Sequence, residues 1–198
     1  MDKIILTDCD GVLLNWEYAF CIWMEQHGYE QIPDGNQQYD IAKRFNIGSS
    51  EGKALVHRFN ESAAIGFLPA LRDSIYYVKR LHEEHGYEFH CITSLSLDPS
   101  AKKLRQMNLE KMFGPTAFTR LVCLDTGADK EEFLDEAYAD TGLYWIEDKM
   151  ENAIAGLNVG LTPILIEHGF NMNESIPVGM KKCKNWKEIY ENIVGNNE

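Results

Sequence analysis

Short apolar or β-branched runs alternate with longer segments of helical spacing along most of this chain. Lys3 to Thr7 is one such run, bounded by Asp8 and Gly11 and too short for a helix, and it is predicted as a buried strand. Four similar runs follow at Glu88–Thr93, Arg120–Leu124, Leu143–Glu147 and Thr162–Ile166. Between them, Ile75, Val78, Leu81 and His82 mark one helical face, Leu104, Met107 and Leu109 a second, and Phe133, Leu134 and Ala137 a third. Asn152 to Leu157 reads as a short fourth helix, ended by Asn158-Val159-Gly160, and Trp186 to Ile193 as a closing helix. The tail Gly195-Asn196-Asn197-Glu198 is expected to fray. Strands alternating with helices of this length imply right-handed crossovers and an α/β, doubly wound, mostly parallel sheet.

The stretch from Asn15 to about Pro69 breaks that rhythm. It carries no convincing strand and is rich in helix formers and aromatics, among them Trp16, Tyr18, Phe20, Trp23, Phe45 and Phe59. A structureless loop of that length is improbable in a compact domain. The segment is therefore read as a small helical cap inserted after the first strand, with breaks near Ile32-Pro33-Asp34-Gly35 and Gly48-Ser49-Ser50. The expected division is a core of residues 1–14 and 70–198 with a cap of residues 15–69.

Composition narrows the class. With 198 residues, 44% hydrophobic and 25% charged, the chain has ample material for one core carrying an insertion. Acidic residues outnumber basic ones 31 to 19, a formal charge of -12, which argues against coating a long nucleic acid. A small anionic substrate stays open, since a bound divalent cation inverts the local field. Five scattered cysteines, with no C-x-x-C spacing, give neither a disulfide framework nor a zinc site and favour a reducing compartment. Neither a signal peptide nor an apolar run long enough to span a bilayer is visible, so a cytoplasmic protein without a membrane partner is expected. Oligomeric state is left open.

In open parallel sheets, ligands bind outside the carboxyl ends of the strands. The residues just beyond each predicted strand are therefore informative. The first strand ends in Asp8-Cys9-Asp10-Gly11-Val12, the second in Thr93-Ser94, and the fourth in Glu147-Asp148, while Lys130 stands just beyond the third. Carboxylates, hydroxyls and an amine gathered on one edge form a working set for phosphoryl transfer, where catalysis is mostly positioning and charge stabilisation.

In this order the chain resembles the haloacid dehalogenase (HAD) superfamily. The resemblance rests on Asp8-Cys9-Asp10-Gly11-Val12-Leu13, Cys91-Ile92-Thr93-Ser94, Lys130, and Ile146-Glu147-Asp148. It implies a Rossmann-like, HAD-like core. It also implies roles that the chemistry of these groups supports. Asp8 would attack phosphorus and form an aspartyl-phosphate, and Asp10 would serve as general acid and then base. Thr93 and Ser94 would hydrogen-bond the phosphoryl oxygens, and Lys130 would neutralise them. Asp8, Asp10 through its backbone carbonyl, and Asp148 would hold Mg2+. Glu147 is read as supporting the ligands rather than binding, and Lys149 as the one rival to Lys130. Within the superfamily the layout looks closest to the 5'(3')-deoxyribonucleotidases. That likeness rests on Asp10-Gly11-Val12-Leu13 leading into an aromatic-rich helix, on Cys91-Ile92-Thr93-Ser94, and on Asn185-Trp186-Lys187-Glu188-Ile189. Glu147-Asp148 departs from the two aspartates usual there. The implied substrate is a small phosphate ester, with a nucleoside monophosphate first and a sugar phosphate next.

Bland alternatives remain beside this. Asp8 and Asp10 could end a strand as ordinary turn residues, Thr93 and Ser94 could cap a helix, and Lys130 could be a surface ion pair. A receiver domain gathers similar residues but in another order, and an idle binding or scaffold protein could share the fold. Phosphatase and phosphotransferase are not separable at this level. Cys9 lacks the downstream arginine of a cysteine phosphatase, and no P-loop is present. One or two of Trp16, Tyr18, Phe20 and Trp23 could face the pocket, and Lys43, Arg44 or Arg58 could meet a second anionic group.

Overall fold

The computed structural model describes residues 3–195. The remaining tail positions, Asn196, Asn197 and Glu198, for which fraying was expected, lie outside them. Six strands form one parallel sheet: β1 (Ile4–Thr7), β2 (Glu88–Thr93), β3 (Phe118–Cys123), β4 (Tyr144–Glu147), β5 (Thr162–Ile166) and β6 (Lys181–Cys183), in the order β3-β2-β1-β4-β5-β6. The order reverses between β1 and β4, which places a crevice beyond the carboxyl end of β1. Helices α4 (Ser74–Glu83), α5 (Pro99–Phe113), α6 (Glu131–Tyr138), α7 (Met150–Asn158) and α8 (Trp186–Gly195) surround the sheet.

The central strands are apolar on both faces because both are covered. Ile5 and Leu6, successive and pointing opposite ways, are each fully buried. The edges look different. β3 has no fully buried residue, begins two positions before its predicted start, and shifts register against β2 between Phe89 and His90. β6 was not predicted from the sequence. Its Lys181-Lys182-Cys183 buries only the cysteine, so three residues with two lysines give no apolar run, in keeping with an edge strand.

Residues 15–69 form α1 (Trp16–Gln26), α2 (Ile41–Phe45) and α3 (Ser49–Asn60), with 3-10 turns at Gly35–Gln37 and Ala63–Phe67 and no strand. Phe20 is their hub, stacked on Trp16 at 4.5 Å and meeting Phe45 and Phe59 edge-on. The two ends of the segment lie side by side, since Asn15 donates to the Pro69 carbonyl and Leu71 to that of Leu13.

The turn after β1 is pinned from afar. Leu13 and Leu14 donate back to the Cys9 carbonyl. The Leu13 carbonyl also accepts from the Ser74 hydroxyl at 2.9 Å, and the Val12 carbonyl from the Trp186 indole at 2.7 Å. These carbonyls are shielded from water, so each needs a partner from the chain itself.

Candidate active site

The parallel pairing of Thr7 with Ile146 sets Asp8 beside Glu147, and the Asp8 amide donates to the Ile146 carbonyl at 2.9 Å. Asp148 then follows Glu147 out of β4. Gly11 has φ +77°, and a methyl group there would overlap the Asp148 carboxylate. Glycine is thus required twice, for the left-handed turn and for the close approach of Asp148.

Lys130, one residue before α6, is fully buried. Its ammonium donates to Asp8 Oδ1 at 2.9 Å and to Glu147 Oε1 at 2.7 Å. Glu147 is saturated: it also accepts from the Asn152 amide and from the backbone N–H groups of Asp148 and Lys149. Lys149 itself lies against the Tyr39 ring, with no bond to Asp8. Carboxylate oxygens of Asp8, Glu147 and Asp148 lie within 4.8 Å of one another. Because Glu147 has its oxygens engaged, Asp8 and Asp148 are the members of that cluster left to face a cation.

The charges at this corner oppose one another. Burial pushes the Asp8 carboxyl up to about 7; Lys130 opposes the shift, and Glu147 and Asp10 reinforce it. Burial also pushes Asp148 well above the carboxylate range, with Glu147 and Asp8 adding to it. Burial works the same way on Glu147, but Lys130 and the two backbone N–H groups outweigh it and hold that carboxyl low. Two buried carboxyls that resist ionisation side by side form a set of hard oxygen donors fitted to a small divalent cation.

Asp10 lines the same pocket as Asp8 and Asp148 but is not a member of this cluster. Arg105, fully buried on α5, grips it with a two-pronged bond, Nη1 to Oδ1 at 2.5 Å and Nη2 to Oδ2 at 3.0 Å. The same guanidinium donates to Cys9 Sγ at 2.8 Å. Arg105 is not among the residues that the sequence singles out. At the end of β2, Thr93 is buried and lines the pocket, while the Ser94 hydroxyl donates to the Ala128 carbonyl at 2.7 Å.

A pocket of about 740 Å³ opens above these groups. Of the four aromatics that could face it, Trp16 lines it, with its indole N–H held by Asn60 Oδ1 at 2.9 Å. Phe20 is buried in the helical segment and Tyr18 lies exposed outside the pocket. Of the basic residues, Arg44 reaches the wall but is paired with Glu17 and the Gln38 carbonyl. Lys43 and Arg58 are not part of the lining, and Lys53 and His57 are. His168, past the end of β5, also lines the pocket and contacts the Gly11 carbonyl through Nε2 at 2.6 Å. Burial drives its pKa down to about 4, so the neutral ring donates there from Nε2.

No protein-family model matches the chain. An uncharacterised 32.4 kDa protein in the Gp30–rIII intergenic region of Enterobacteria phage T4 is 29% identical over 143 residues. That match spans 69% of this chain and 50% of the phage protein, so it reaches about half of the latter's length. Among solved structures, a haloacid dehalogenase-like hydrolase from Streptococcus pneumoniae superposes with TM-score 0.66 at 13% identity, covering 100% of this chain and 99% of that one. The D,D-heptose 1,7-bisphosphate phosphatase of B. bronchiseptica, solved with magnesium and phosphate, gives 0.62 at 13% identity over 98% and 99% of the two chains. The fold is haloacid dehalogenase-like. In this haloacid dehalogenase-like fold, Asp8, Asp10, Thr93, Lys130 and Asp148 all meet at the strand ends, within one pocket. His168 and Arg105 join them from elements the motif reading did not use.

Proposed function

We propose that this chain is a Mg2+-dependent phosphomonoester hydrolase that works through an aspartyl-phosphate on Asp8. The observation that carries the reading is the corner itself: a buried carboxylate at a strand end, bonded to a buried lysine, with Asp148 beside it and a second carboxylate two residues on. Asp8, the Asp10 carbonyl and Asp148 hold the cation, which supplies charge neutralisation for the phosphoryl group. That assignment accords with the magnesium and phosphate bound by the heptose bisphosphate phosphatase of the same fold.

The chain's own residues then divide the work. Asp8 attacks phosphorus from the side opposite the leaving oxygen. Lys130 restrains the attacking carboxylate and balances charge on the transferred group, together with Thr93 and Ser94. Asp10 protonates the departing alkoxide and then takes a proton from the water that hydrolyses the aspartyl-phosphate. Glu147 orients Lys130.

The substrate is a small phosphate ester, with a nucleoside monophosphate first. Support comes from Trp16, held by Asn60 in a pocket of about 740 Å³, a size suited to a base and sugar. Residues 15–69 act as the cap over a core of 1–14 and 70–198, and the enzyme is cytoplasmic. Phosphate release from nucleotides, sugar phosphates and an aryl phosphate, with and without Mg2+, tests the reading alongside Asp8→Asn. Metal-dependent turnover lost in the variant is the expected result. A folded protein that turns over no ester would point to a binding protein.

A further inference from the structure

We propose that Arg105 is the positioning residue for Asp10, and that its grip sets how well the enzyme expels poor leaving groups. The inference rests on the proposed role of Asp10 as proton donor and acceptor. Arg105 Nη1 and Nη2 each take one Asp10 oxygen, and the Asp10 side chain is still 22% exposed, toward the pocket. A planar fork bound at both oxygens fixes the plane of the carboxylate, which a single-point donor does not. The second lone pair of each oxygen stays available for a proton in transit.

Asp10 itself sits before Gly11, in a turn whose backbone would allow several side-chain directions. The rigidity is supplied by α5. Ala101, Arg105, Asn108, Leu109 and Phe113 form its buried face. Asn108 makes a reciprocal pair with the Leu68 backbone, accepting from its N–H at 2.8 Å and donating to its carbonyl at 3.1 Å. Cys9 Sγ holds Nη1 from the other side. Arg105 Nε is buried without a partner, so the guanidinium is aimed at Asp10 at the expense of its own third bonding direction.

The experiment compares kcat/KM for 4-nitrophenyl phosphate with that for an alkyl ester, glycerol 2-phosphate, in wild type, Asp10→Asn, Arg105→Lys and Arg105→Gln. This constant covers the steps through transfer to Asp8. There an alkoxide needs the proton that general acid catalysis supplies, worth about a hundredfold or more, and a nitrophenolate leaves with little help. The alkyl-to-aryl ratio is expected to fall at least about tenfold in Arg105→Lys and further in Asp10→Asn, with Arg105→Lys adding little in the Asp10→Asn background. Proportional loss on both esters in the Arg105 variants, with Asp10→Asn separating them, would overturn the inference while leaving the catalytic reading in place. Retained turnover in Asp8→Asn would instead overturn the catalytic reading itself. If the Arg105 variants do not fold, Cys9→Ala decides: the ratio moves the same way by a smaller factor, and an unchanged ratio counts against the grip.

Discussion

Lys130 and Arg105 are both fully buried and both face a carboxylate just beyond β1, but one is given two anions and the other a single one. Lys130 lies between Asp8 and Glu147, and Glu147 is held in turn by Asn152 and two backbone amides. Among the described residues, Arg105 has only Asp10 and a thiol. A buried charge persists where it is paired. The lysine therefore keeps a counterion when Asp8 is altered, whereas the arginine loses its sole anion when Asp10 is altered. The proposed nucleophile sits in a self-supporting cluster, and the residue proposed for proton transfer is part of the structure that holds it.

The largest expected effect falls on chemistry at the supported side. Asp8→Asn should lower turnover by roughly a thousandfold or more while unfolding at nearly the wild-type urea concentration, because Glu147 still pairs Lys130. Asp10→Asn should behave otherwise, losing about 2–4 kcal/mol of stability because it leaves a buried cation unpaired. Equal urea midpoints for the two variants would break the contrast. Lys130→Met leaves two buried carboxylates without a cation and should cost about 3–5 kcal/mol, measured the same way.

Next in size is a pH effect in the metal-free protein. Asp8 titrates near 7 in the folded chain, well above its unfolded value, so the stability it contributes is complete in acid and is lost as pH rises through about 7. His168 acts oppositely. Its pKa is lowered to about 4, so its contribution is present above the unfolded value near 6.5 and is lost as pH falls toward 4. The Asp8 loss falls between about pH 4 and 7 and His168 offsets part of it, so from pH 5 to pH 7 chelated Asp8→Asn should lose less Tm than chelated wild type, and Mg2+ should raise the wild-type Tm more at pH 8 than at pH 6. A pH-independent Mg2+ shift would mean that Asp8 does not meet the metal. The smallest effect lies away from both cations: Trp16→Ala should raise KM for nucleoside monophosphates several-fold, about 1 kcal/mol, and leave that for 4-nitrophenyl phosphate nearly unchanged. Equal rises would remove the base-stacking role.

The sheet was legible from the sequence where strands are buried on both faces, since such strands appear as unbroken apolar runs. β6 was not, because an edge strand of two lysines and a cysteine carries no such run. At the site, Asp8, Asp10 and Asp148 could be placed because strand ends in parallel sheets converge. His168 follows β5 by the same rule, so a signal for it existed in Glu167-His168. Arg105 gave none. It stands among Lys102, Lys103 and Lys111 on a helix whose charged residues resemble a solvated face, and only its burial in the folded chain shows that it points inward.

The long-range pinning of the turn after β1 has a consequence in time. The Val12 carbonyl waits for Trp186, 174 residues downstream. At about 5–20 residues per second, a ribosome needs roughly 9–35 s to bridge that interval. For that period the nascent chain carries Asp8 beside a turn that lacks its bond from Trp186. Asp8 therefore leaves the ribosome well before the residue that closes its turn, so a growing chain holds that carboxylate before it has the scaffold to aim it.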